Sequence, residues 1–62
     1  MNADLRGALR QLNKSWKMFE HNDQPMTKEQ VKAVLEYGIE QGYESTGDLT
    51  DEEIDKVLNT NR

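Results

Sequence analysis

Three groups of residues in this 62-residue sequence carry side chains that could do chemistry. His21, flanked by Glu20 and Asp23, has the residue types of a metal site or of an acid–base pair. Asp51, Glu52, Glu53 and Asp55 supply a run of carboxylates. Arg6, Arg10, Lys14 and Lys17 supply four cations at helical spacing, an arrangement that can track a phosphate backbone.

Each group meets a physical objection. A metal site needs three or four converging ligands, whereas His21 and its neighbours fall at the end of a helical pattern; a solvated imidazole near a helix's negative pole is the better account. Catalytic carboxylates must be held at a fixed separation, and those of the acidic run are adjacent to one another on what reads as a solvated face. Cysteine is absent, which removes disulfides, thiolate zinc sites and cysteine nucleophiles together. Nor is there a glycine-rich phosphate loop, a nucleophile elbow or a dinucleotide fingerprint. A chain of this length encloses little pocket, so the expectation is a protein with no catalytic residues, no metal and no cofactor.

The cations are set in an acidic chain, with a net charge of −4 and a pI near 4.8. The amino-terminal third is mildly basic and the remainder strongly acidic, a polarity usable inside the fold or toward a partner. A helix-turn-helix reader would present its third helix to DNA, and here that helix would point Asp51, Glu52, Glu53 and Asp55 at phosphates. Nucleic-acid binding through Arg6, Arg10, Lys14 and Lys17 is therefore the second reading. The plainer one has Arg10, Lys14 and Lys17 neutralising acidic helices within the fold or across a dimer, where exposed pairs contribute little.

Three elements must position these groups. Leu5, Leu9, Leu12, Trp16 and Phe19 recur in steps of four and three and predict a first helix over residues 3–20, with fraying expected around Gly7. His21 to Pro25 reads as a turn, because the residue before proline leaves the helical region. Thr27 with Gln30 reads as a capping box opening a second helix over 28–41, stapled by Met26 and Val31. Its buried face is Val31, Val34, Leu35 and Ile39; Gly38 on that face admits a close neighbour, and Gly42 is a left-handed terminator. Tyr43 to Leu49 is a connecting loop rich in turn formers. Thr50 and Glu53 form a second capping box, with Leu49 and Ile54 as its staple, predicting a third helix over 51–59 and a frayed tail at 60–62.

Residues 26–35 and 49–58 echo each other, with Thr, Glu, Val and Leu in register, which two similar helix starts explain without a duplication. The stretch Leu49 to Leu58 also resembles the helix that precedes a calcium loop in the calmodulin family. That resemblance implies about twelve following residues of alternating oxygen ligands around a glycine, and only Asn59-Thr60-Asn61-Arg62 follow here. Calcium binding is not expected, and the match is one of shared capping.

The fold expected is all-α, one domain over 1–62, arranged as a small three-helix bundle or an open three-helix array. The longest apolar run is Ala33-Val34-Leu35, so neither a signal peptide nor a membrane span is expected, and the cytoplasm is the natural setting. Asn13-Lys14-Ser15 matches the glycosylation triplet by chance in such a setting. Most of the Leu5, Leu9, Leu12, Trp16 and Phe19 stripe is expected in the core. Because three short helices leave part of so long a helix uncovered, the same stripe is the candidate face for a protein partner or a homodimer. A non-enzymatic interaction or regulatory module is the leading functional expectation.

Overall fold

The computed structural model describes residues 4–60. The expected helix start at residue 3 and the expected tail at 61–62 lie outside the described residues. Among the described residues four α-helices and one two-stranded sheet follow in chain order: α1 (Leu5–Arg10), α2 (Leu12–Ser15), β1 (Glu20–His21), β2 (Gln24–Pro25), α3 (Lys28–Glu40) and α4 (Asp51–Thr60). Two single 3-10 turns, Trp16–Met18 and Thr46–Asp48, complete the path. The protein is mostly helical, but it is not the strictly all-α three-helix arrangement that hydrophobic periodicity predicts.

The largest departure is the first helix, expected to be continuous over 3–20. It breaks at Gln11, whose φ of −101° and ψ of 19° leave the helical region. The Gln11 carbonyl then accepts the N–H groups of Lys14 and Ser15 at 2.9 Å each and the Ser15 hydroxyl at 3.0 Å. Such back-bonding by serine tightens and bends a helix. Eighteen continuous helical residues would span about 27 Å, against about 20 Å for the thirteen of α3. Leu5 and Leu12, on either side of the break, are both buried.

The expected turn at 21–25 is a small antiparallel hairpin, pairing Glu20 with Pro25 and His21 with Gln24. Asn22 and Asp23 hold φ of 55° and 61°, the two consecutive left-handed residues that a tight two-residue hairpin turn demands. Asparagine and aspartate tolerate that region better than other side-chain-bearing residues. Pro25 lacks an N–H, which an edge position in so short a sheet accommodates.

The other two helices follow their local chemistry. Thr27 Oγ1 accepts the Gln30 N–H at 3.1 Å while Gln30 Oε1 accepts the Thr27 N–H at 2.9 Å, the reciprocal capping box. At the far end Gly42, at φ 85°, donates to the Ile39 carbonyl, and Tyr43 donates to that of Gly38, which satisfies two otherwise orphaned acceptors. The Thr50–Glu53 box opens α4, and Thr60, expected in the tail, is still helical.

Leu5, Leu12, Met26, Val31, Val34, Leu35, Leu49 and Val57 form the buried cluster. The first turn of α1, expected to fray, is anchored: Asp4 accepts the Gly7 N–H at 2.9 Å, the Leu5 N–H reaches the Glu44 carbonyl at 3.0 Å, and Leu5 is 0% exposed. Its side chain lies on Gly38 of α3, where an added Cβ would stand only 2.8 Å from Leu5 Cδ1. Gly38→Ala is therefore expected to destabilise. Overpacking costs about 1–3 kcal/mol and the better helix former returns about 1, leaving a net loss on the order of 1 kcal/mol. A urea midpoint that stays level or rises would show that Leu5 yields freely.

Candidate functional site

The chemistry-bearing residues are placed differently from what their sequence neighbours suggest. His21 does not sit solvated at a helix end beside Glu20 and Asp23. It lies in β1 with its side chain 7% exposed, and its Nε2 is 2.6 Å from Asp55 Oδ1, thirty-four residues away on α4. The Asn22 amide nitrogen stands 3.3 Å from the same ring nitrogen. The contact of Nε2 with the Asp55 carboxylate joins the hairpin to α4.

The acidic run is also not uniformly solvated. Asp51, Glu52 and Asp55 are exposed, but Glu53 is half-buried and carries four hydrogen bonds. Its Oε1 accepts from the Thr50 N–H and hydroxyl at 3.1 Å each, and its Oε2 accepts from the phenols of Tyr43 at 2.6 Å and Tyr37 at 3.3 Å. The hydrogen bond from Tyr43, followed by that from the Thr50 backbone, holds the Glu53 carboxyl below its ordinary range. Hydrogen bonding to Glu53 and then burial push the Tyr43 phenol up, while burial leads for Tyr37, followed by the charge of Glu53. One carboxylate thus caps α4 and ties it to α3 and to the segment that follows α3.

Arg6, Arg10, Lys14 and Lys17 are all exposed. Among the described residues none of them enters an ion pair, so the expected neutralisation of acidic helices is not made by direct contacts within the fold. The break at Gln11 also interrupts the helix that would have carried them as one stripe. Lys17 places its ammonium 5.8 Å from the centroid of the Trp16 ring, a cation–π arrangement.

Of the apolar stripe, Leu5 and Leu12 are inside the protein's own core, so neither offers surface to a partner. Leu9, Trp16 and Phe19 are half-buried against that core. The most exposed large apolar side chain among the described residues is one that lies off the stripe, Met18, at 64%. It lines a cleft of about 260 Å³ bounded by both 3-10 turns, β1, α3 and the start of α4. Phe19, Met26, Leu35, Leu49 and Ile54 line it, with Glu20 and Asp51 among its polar residues. The chain matches no protein family, no curated protein and no solved structure.

A larger depression, of about 620 Å³, runs between the start of α3 and α4. Of its polar residues, Thr27 and Gln30 are engaged in the cap of α3 and Asp55 with His21, while Glu29 and Asn59 are exposed beside them. Among the described residues no group of three His, Asp or Glu side chains is placed to hold a metal ion, and no helix is long and apolar enough to cross a membrane. The Met18 cleft differs from this depression in having an exposed large apolar side chain in its lining. Periodicity missed it because Met18 falls one residue before Phe19, outside the leucine stripe.

Proposed function

We propose that the protein is a small, non-enzymatic protein-interaction module of the cytoplasm, and that it binds through the Met18 cleft. The observation that carries this reading is a 64% exposed methionine in the lining of an open cleft, while the other large apolar side chains among the described residues lie in or against the core. Unbranched, polarizable methionine adapts to varied apolar partners at binding surfaces. A cavity of about 260 Å³ falls below the range of about 300–1,000 Å³ typical of small-molecule sites, which favours an anchoring side chain over a free ligand.

Affinity capture with the intact protein and with Met18→Lys tests the reading. A protein retained by the first and lost by the second is expected, with equal melting curves for the two because Met18 is exposed. Identical capture profiles would remove it. A homodimer is the narrower form, expected to use the half-buried Leu9, Trp16 and Phe19; light scattering reporting a monomer throughout the working range would eliminate it.

The exposure of all four cations favours a second reading, binding of nucleic acid through Arg6, Arg10, Lys14 and Lys17. Four phosphate contacts give a slope of about −3.6 in log affinity against log salt, whereas docking at the cleft responds weakly.

A further inference from the structure

The charges around the Met18 cleft narrow the kind of partner, an inference that rests on the interaction reading above. Among the residues lining the cleft are two carboxylates, Glu20 from β1 and Asp51 from the first turn of α4, and no lysine, arginine or histidine. Both carboxylates are exposed, and neither forms an ion pair among the described residues. Lys17, the cation adjacent to Met18 in sequence, is placed against the Trp16 ring. The cleft therefore combines apolar lining from Met26, Leu35 and Leu49, an exposed methionine, and two carboxylates with no basic residue in the lining.

We propose that this cleft receives the apolar anchor of an amphipathic helix on a partner protein, with lysine or arginine beside that anchor. The apolar lining supplies a pocket that excludes water around one bulky side chain, which is where interface energy concentrates. A helix laid in a groove presents such anchors at positions three and four apart, and cations on the flanking positions reach the two carboxylates. Complementary charge steers the encounter and rejects acidic partners, which would bring like charges against Glu20 and Asp51.

The test uses the full chain carrying carbon-13-labelled methionine methyls and two synthetic probes. One is an amphipathic helical peptide of leucine and lysine; the other is its twin with glutamate at every lysine. The lysine peptide is expected to shift the Met18 and Met26 methyl signals along a saturating curve, and the glutamate twin to leave them in place. Met18→Arg is expected to weaken binding by about tenfold or more, as removal of an apolar anchor does. Glu20→Lys combined with Asp51→Asn should reduce or reverse the preference between the peptides while circular dichroism stays native.

Equal response to both peptides would overturn the assignment of a basic partner while leaving the interaction reading intact. The assignment also fails if neither peptide moves the two methyls, or if Met18→Arg binds as tightly as the parent. Methyl shifts that appear on raising protein concentration alone would put a second copy in the cleft and equally overturn the proposal.

Discussion

Replacing Leu5 with alanine is expected to leave most of the protein unfolded at room temperature. Leu5 is the first residue of α1 and is 0% exposed, lying against Gly38 of α3. Truncating a fully buried leucine costs about 2–5 kcal/mol, and a single core in a chain of this size supplies only about 3–5 in total. The two figures overlap, so a population of unfolded chains should be visible by far-ultraviolet circular dichroism without denaturant. Sucrose or another excluded osmolyte should recover the native signal, because it strengthens burial without repairing the cavity. A cooperative melt close to that of the parent would mean that α1 is not part of the core. The contact on Gly38 adds a sharper check. In the Leu5→Ala background and in osmolyte, Gly38→Ala should cease to destabilise, since the methyl group it would strike is gone, and the two substitutions should couple with opposite sign to additivity.

Trp16→Ala sets the contrast. By size and type Trp16 looks like the keystone of the first segment, yet it is half-buried, while the fully buried large side chains are Leu5, Leu35 and Val31. Area that water already reaches in the native state yields little on burial, so the larger residue is expected to matter less than the smaller one. Periodicity identifies which side chains share a face but does not say how deeply that face is covered.

The same distinction separates the legible parts of this fold from the rest. Thr27 with Gln30, Gly42, and Thr50 with Glu53 mark the limits of α3 and α4 through bonds spanning three to five residues, and such bonds are written in adjacent sequence. The stripe from Leu5 to Phe19 is satisfied equally by one long helix and by two short helices with a 3-10 turn docked on the same partner. Periodicity alone does not decide between them, because the break depends on tertiary packing. The hairpin strands are two residues long, too short for any alternation to be read, so Asn22-Asp23 was the sole signal available. The pairing of His21 with Asp55, and of two tyrosines with Glu53, joins elements whose approach no local pattern encodes. Met18 lies outside the stripe, and only the three-dimensional cleft gives it meaning.

Glu53→Gln is expected to produce the second large effect, since this one carboxylate binds the cap of α4 and both tyrosines. A glutamine that keeps its oxygen on Thr50 turns a donor NH2 toward the phenols, so the Tyr37 and Tyr43 hydroxyls lose the charged oxygen that accepts from them. Thr50→Ala, which deletes only the cap, should cost about 1 kcal/mol, and Glu53→Gln should lower the melting temperature further than either Tyr37→Phe or Tyr43→Phe.

Linkage gives the sign of the pH response. Glu53 is more acidic in the folded protein, so its contribution is complete above the unfolded carboxyl range near pH 4.3 and is lost as pH falls through the depressed native value. The tyrosines are less acidic in the folded protein, so their contribution is complete below about pH 10 and is lost as pH rises through the elevated native values. Glu40 faces Tyr37 and Asp48 faces Tyr43, and both reinforce the alkaline limb. Absorbance at the tyrosinate band should therefore rise at higher pH in the native protein than in urea. Glu53→Gln should move the native curve back toward the urea curve and flatten the acid limb of the melting profile. Coincident titrations of the native and urea-unfolded parent would mean that the phenols do not meet the carboxylate in solution, and that α4 is held to α3 by its apolar face alone.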